Sequence, residues 1–206
     1  MMKKIFDYFD ELFPNPKPEL NYNNEFEFLI AIVLSAQTTD IKVNKATEKL
    51  FKKYNIDTLI SADINDLINI LRPIGMSKKK SEYIKSIAKD IKEKYDYKIP
   101  KKRDELITLR GVGRKTANVF LSQIANKPYL AVDTHVSRVS KRLDLVKKTD
   151  DVLTIENKLY KLIPKERILK THLQMVFFGR YKCKSIKPIC IDCKLKDICN
   201  HHKRTR

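Results

Sequence analysis

Apolar residues recur along the chain at helical spacing, with almost no strict alternation, and that pattern predicts a protein built of α-helices. Ile5, Phe6, Phe9 and Leu12 share one face of a first helix. The segment Pro14-Asn15-Pro16-Lys17-Pro18 stops that helix and makes an extended connector. Residues 26–34 are apolar enough to form a buried helix. Asp40 is placed to cap a helix bearing Val43, Ala46 and Leu50, and residues 63–71 make another with Ile64, Leu67, Ile68 and Leu71 on its apolar face. Ser77 is placed to cap a long helix through Lys94 that buries Ile84, Ile87, Ala88 and Ile91. After Pro100, a helical tail over residues 104–109 runs into Gly111-Val112-Gly113, and the next helix begins near Arg114 and ends by Asn126. Lys127-Pro128 breaks the chain, and residues 129–132 are short and extended. Three further helices are predicted over residues 134–143, 152–163 and 167–181, with Pro164 separating the last two. The predicted fold class is all-α.

Length and charge narrow the picture. A chain of 206 residues is long enough for a real core in one or two compact domains. A net charge of +18 favours a polyanionic partner, chiefly nucleic acid or an anionic membrane face. No single basic block dominates, so charge alone does not locate a binding surface. The longest clean apolar run, residues 28–34, has seven positions, where a membrane helix needs roughly 20. Acidic residues stand near the N-terminus where a secretory leader would place its apolar core, so a cytoplasmic protein with no membrane partner is expected, nucleoid-associated in a bacterium.

The most informative stretch is Leu109-Arg110-Gly111-Val112-Gly113-Arg114-Lys115, followed later by Val132-Asp133-Thr134. The glycines allow a tight turn and close backbone approach. The N–H groups that open the next helix suit a phosphate oxygen. Lys115 falls in that first turn, where the helix dipole disfavours a positive charge, and the neutral amine is the nucleophilic form of lysine. Asp133 precedes a helix with Val136, Val139 and Leu143 on its apolar face and reads as an N-cap carboxylate. Leu71-Arg72-Pro73-Ile74-Gly75 echoes the glycine turn at the leucine, the β-branched residue and the second glycine.

Cys183, Cys190, Cys193 and Cys199 give the spacing C-x6-C-x2-C-x5-C. Four thiolates so close in sequence argue for metal rather than disulfides in such a chain, and they can hold Zn²⁺ or an iron–sulfur cluster. His201 and His202 fall in a basic tail, Lys203-Arg204-Thr205-Arg206, that is expected to fray, and His172 lies on an apolar helical face as a core histidine.

Together, the glycine turn with Lys115, the Asp133 segment, the motif Ser35-Ala36-Gln37-Thr38-Thr39-Asp40 and the cysteine spacing resemble the endonuclease III family of helix-hairpin-helix DNA glycosylases. The resemblance covers nearly the whole chain. It implies a six-helix domain over residues 18–127 and a second domain, made of residues 1–17 and 128–206, that carries a [4Fe-4S] cluster. It also implies that Lys115 and Asp133 are catalytic and face each other across a cleft. In this family the residue matching Gln37 fills the space left by an extruded base, and Met76 takes the place of an apolar wedge, with core packing as the competing reading. Gly111, Val112, Gly113 and Arg114 would hold phosphate, and Lys187 would contact it from the cysteine loop, beside Lys182, Lys184 and Lys194. The family's hairpin usually carries a proline where this chain has Arg110, which could add a phosphate contact. The activity implied is removal of oxidised pyrimidines from double-stranded DNA, with lyase cleavage at abasic sites, by a monomer. Relatives that act on mismatched or oxidised purine-containing pairs, a non-catalytic DNA-binding module with a zinc staple, and an iron–sulfur electron carrier are the alternatives.

Overall fold

The computed structural model describes residues 1–204. Among them are twelve α-helices and no β-strand: α1 (Met2–Leu12), α2 (Glu25–Leu34), α3 (Asp40–Lys53), α4 (Ile56–Ser61), α5 (Ile64–Leu71), α6 (Ser77–Tyr95), α7 (Arg103–Leu106), α8 (Arg114–Ile124), α9 (Thr134–Arg142), α10 (Val152–Leu162), α11 (Ile168–Phe177) and α12 (Asn200–Arg204). No helix among the described residues is long and apolar enough to cross a membrane. The chain divides into two compact units, one of Pro18–Ala125 and one of Met1–Lys17 with Asn126–Arg206. The break falls at Asn126, which takes a left-handed φ of 47° just past the end of α8.

The Pro18–Ala125 unit is arranged around α2. Eight of its ten residues, from Phe26 to Leu34, are buried, and Asn24 caps it by accepting the Glu27 N–H at 2.9 Å. A helix apolar on every side must be covered on every side, and α3, α6 and α8 pack against it. Phe28 of α2 stacks on Phe120 of α8 with ring centroids 6.2 Å apart. The short α4 has no sequence signal strong enough to stand out. It forms because Asn55 and Thr58 make a reciprocal capping box and Leu59 is buried against the unit.

Two predicted caps are displaced by one residue. Asp40 lies in the first turn of α3, after Thr39 as N-cap, and Ser77 is the first residue of α6, after Met76. In α6 the reason is backbone conformation, since Met76 takes a left-handed φ of 50° that breaks the helical path one residue before Ser77. Asp63, by contrast, is itself the cap of α5 and accepts the Asn65 N–H at 3.0 Å.

The other unit packs α1 against α11 and α9 against both α10 and α11, around Ile5, Phe9, Val136, Val139, Leu159, Met175 and Phe178. The helix predicted over residues 167–181 is not continuous. A 3₁₀ turn, Lys165–Arg167, leads into α11, and a wide π turn, Phe178–Lys182, ends it. Gly179 sits in that wide turn against His135, and a Cβ there would come within 2.8 Å of the His135 Cβ. The histidines near the C-terminus are not in a frayed tail. His201 and His202 lie on α12, whose first turn closes with Lys203 N–H donating to Cys199 at 3.1 Å; Thr205 and Arg206 fall outside the described residues. His172 is buried, with Nε2 3.0 Å from the Ala131 carbonyl.

Asp10 ties α1 to α11. Burial alone raises its carboxyl, but hydrogen bonds from Lys170, Gln174 and Arg167 outweigh that and hold it well below its ordinary value of 3.8. A depressed carboxyl stabilises the fold fully above that value and progressively less as pH falls through it. The side chain is about one third exposed, so solvent discounts the contribution to about 1 kcal/mol. Asp10→Asn is expected to lower the melting temperature at neutral pH by roughly 2–4 °C and to flatten the acid limb of stability below about pH 4. Thermal melts at pH 7 and pH 3 check this, and equal losses at both pH values would contradict it.

Candidate active site and cysteine centre

The glycine turn sits between α7 and α8. Leu109 and Val112 are buried beneath it, and Val112 donates its N–H to the Leu109 carbonyl at 3.0 Å. That amide is therefore used by the turn itself, which leaves the N–H groups at the start of α8 to face a ligand. Gly113 is the N-cap of α8 and supplies no side-chain cap. Gly111 takes a φ of +89°, and the Tyr83 ring of α6 lies so close that a Cβ would sit 2.4 Å from its Cδ2. Arg110 pairs with Glu82 at 3.1 Å and stands over the Tyr83 ring at 5.7 Å. Arg110 thus anchors the turn to α6 by an ion pair and a cation–π contact. Arg114 and Lys115 are exposed at the first turn of α8.

The echoing segment makes a related turn. Leu71 and Ile74 are buried as Leu109 and Val112 are, but the left-handed positions fall later, at Gly75 with φ 69° and Met76 with φ 50°. Met76 is 47% exposed, which excludes the core-packing reading. Gln37 is also exposed, with φ 57°, in the turn between α2 and α3. Among the described residues seven non-glycine residues have positive φ, and Gln37, Met76 and Lys187 are three of them. Each such conformation costs about 1 kcal/mol or more, and strain of this kind gathers at functional positions.

The structure links the Gln37 and Met76 turns through Lys80, the last of three consecutive lysines, Lys78-Lys79-Lys80, a kind of run that is usually solvated. Lys80 is 2% exposed. Its ammonium donates to the Ala36 carbonyl at 3.0 Å and to the Ile74 carbonyl at 2.9 Å. The signal for its burial was present, because Lys80, Ile84, Ile87, Ala88 and Ile91 follow one helical stripe. Lys78 and Lys79, in the same run, are exposed.

In the other unit, Asp133 is the N-cap of α9 and accepts the Val136 N–H at 2.7 Å. Lys115 and Asp133 belong to different units. The four cysteines form no disulfide and line one small cavity with Leu143, Phe178, Pro188, His201 and His202. Burial pushes the Cys183 and Cys193 thiols up, and neighbouring cysteines push in the same direction. Two arginines of α9 hold the loop. Arg138 donates to the Cys183 and Gly179 carbonyls at 3.1 and 2.7 Å, and Arg142 donates to the Lys184 and Ser185 carbonyls at 2.7 and 3.1 Å and to the Cys183 Sγ at 3.3 Å. Nothing in their spacing marks them in the sequence, because their partners lie about forty residues away. Of the loop lysines, Lys182 is held by Asp192 and Lys194 by Glu11, at 2.5 and 2.6 Å, while Lys184 and Lys187 are exposed.

Four thiols around one cavity fit a metal centre with four sulfur ligands, which both a single Zn²⁺ and an iron–sulfur cluster accept.

Comparison with known proteins agrees with the class of protein that this turn and fold define. Residues 30–165 match the family model described as HhH-GPD superfamily base excision DNA repair protein. Endonuclease III of Bacillus subtilis (strain 168) is 41% identical over 199 residues, covering 96% of this chain and 91% of that one. Two solved structures share 44% identity with this chain: a non-covalent endonuclease III–DNA complex, with a TM-score of 0.96 and coverage of 99% of this chain and 96% of that one, and a trapped endonuclease III–DNA covalent intermediate, with 0.95, 100% and 97%. The chain belongs to the endonuclease III family of this superfamily, and it is a base excision repair DNA glycosylase.

Gly111 and Gly75 separate two effects of glycine. Both have positive φ, but a Cβ on Gly75 meets nothing within 4 Å, whereas one on Gly111 strikes the Tyr83 ring. Gly75→Ala is expected to cost only the conformational strain, about 1 kcal/mol. Gly111→Ala is expected to cost roughly 2–4 kcal/mol and to weaken binding to a duplex. Thermal melts and duplex titrations check the order; equal effects of the two would contradict it.

Proposed function

We propose that this protein removes oxidised pyrimidines from double-stranded DNA and then cuts the strand at the resulting abasic site, with Lys115 as nucleophile and Asp133 as its carboxylate partner. The observation that carries the reading is an exposed lysine in the first turn of α8, directly behind a glycine turn clamped on α6. A relative 44% identical to this chain was captured as a covalent intermediate with DNA, which supports a nucleophilic route.

The damaged nucleotide leaves the stack, because its C1′ is out of reach inside a duplex. The Lys115 amine attacks C1′ with its lone pair, and the glycosidic bond breaks with its electrons leaving on the base, which takes up a proton. Sugar ring opening leaves an imine between enzyme and sugar. The imine acidifies the adjacent C2′ proton; its loss forms a C=C bond and expels the 3′ phosphate with the C–O electrons. Water then hydrolyses the imine and restores the amine. Asp133 stabilises cationic character on the sugar and relays protons. Amides at the start of α8, with Gly111, Gly113 and Arg114 around them, hold a phosphate, and Lys187 holds another from the cysteine loop. Gln37 and Met76 enter the duplex where the nucleotide has left.

Cys183, Cys190, Cys193 and Cys199 are proposed to hold a [4Fe-4S] cluster in the unit formed by the two chain ends. Its role would be structural, keeping the loop that carries Lys184 and Lys187 in shape. The Arg138 and Arg142 hydrogen bonds to that loop's carbonyls serve the same end.

Borohydride reduction of the protein mixed with an abasic-site duplex is expected to give a covalent adduct that disappears in Lys115→Gln. Asp133→Asn separates charge from capping, since asparagine caps a helix about as well as aspartate. That variant is expected to keep its melting temperature within a few degrees while base release slows by roughly 10²–10⁴-fold. An undiminished adduct in Lys115→Gln, or full base release by Asp133→Asn, would contradict the assignment.

A further inference from the structure

Lys80 is a fully buried ammonium whose two hydrogen-bond partners are neutral backbone carbonyls rather than a carboxylate. Burying such a charge is expensive, and its desolvation here lowers the lysine's affinity for a proton. A leucine would fill the same helical stripe without that cost, so the charge calls for a purpose beyond packing. The two carbonyls supply one. Ala36 immediately precedes Gln37, and Ile74 stands two residues before Met76. Both Gln37 and Met76 are exposed and left-handed, at φ 57° and 50°. A turn with a positive φ at a non-glycine residue relaxes unless something outside it holds it. The next turn of α6 holds the third element as well, through Glu82 to Arg110 and the Tyr83 ring against Gly111.

We propose that Lys80 is a positioning residue for strand opening: one ammonium, donating to the carbonyls behind Gln37 and Met76, fixes the spacing of the two side chains that enter the duplex. It touches neither DNA nor the reacting sugar. This rests on the reading of Gln37 and Met76 given above. On that reading Lys80 matters only when a stacked duplex must be opened, and not when the sugar is already accessible.

The test compares one abasic-site oligonucleotide as duplex and as single strand. Rates of borohydride-trapped adduct formation are measured for the wild type, Lys80→Met, Gln37→Ala, Met76→Ala and the combined variants, at a temperature where circular dichroism shows each folded. Lys80→Met is expected to lose about tenfold or more on the duplex, since ångström-scale misplacement costs up to about a hundredfold, and to stay within about twofold on the single strand. Adding it to the Gln37→Ala, Met76→Ala pair is expected to cause no further loss. An equal loss on both substrates, or none on the duplex while Gln37→Ala and Met76→Ala are impaired, overturns the proposal and leaves the roles of those two residues standing. Unimpaired Gln37→Ala and Met76→Ala overturn those roles, and the proposal with them. If Lys80→Met does not fold, Lys80→Arg decides, because its longer planar head cannot hold both carbonyls at the same spacing. A lowered duplex-to-single-strand ratio supports the proposal, and an unchanged ratio overturns it.

Discussion

Burial of α2 on all sides is the constraint on which the rest of its unit depends. A helix whose residues are nearly all apolar cannot lie on a surface, so other helices must wrap it. Three of them, α3, α6 and α8, begin directly after the turns that carry Gln37, Met76 and the glycine pair. Packing of apolar faces against one helix thus fixes the position of three helix starts, and each start presents a turn. The first two turns of α6 then link the three. Lys80 reaches the carbonyls behind Gln37 and Met76, while Glu82 and Tyr83 grip the turn before Lys115. The energetically dominant part of the fold is hydrophobic burial, and the part proposed to govern function is a few polar contacts set on top of it.

The same division appears in the other unit. Phe9, Phe178, Val136 and Val139 make its core, and α9 leads out of that core in two directions. At its start Asp133 caps the helix with the carboxylate that the proposed chemistry uses. Further along, Arg138 and Arg142 reach back to the cysteine loop and satisfy its carbonyls. One helix therefore serves both the proposed catalytic carboxylate and the loop proposed to hold the cluster. The π turn after α11 lets Gly179 approach His135 closely enough for Arg138 to take the Gly179 carbonyl.

Much of this is legible in the sequence because it is local. The apolar stripes of α1, α5, α6 and α9, the Asp133 cap, the Gly111 turn and the cysteine spacing all involve residues within a few positions of one another. What the sequence hides is where local rules meet distant partners. Met76 ends the approach to α6 in a left-handed conformation that no propensity favours, so the cap moved by one residue. Lys80 looks like one member of a solvated run because its carbonyl partner at Ala36 is far away in sequence, although its place on the apolar stripe was visible. Arg110 pairs with Glu82, and Lys182 and Lys194 pair with Asp192 and Glu11, in ion pairs that only the folded chain reveals.

The central claim is that a single amine, at the start of α8, bonds to the sugar. Proteolysis of the borohydride-reduced protein–DNA adduct, followed by mass spectrometry of the modified peptide, tests this most directly. The account requires the sugar remnant on the Lys115 side chain alone. Attachment to Lys78, Lys79 or the N-terminal amine, with Lys115 unmodified, would contradict it.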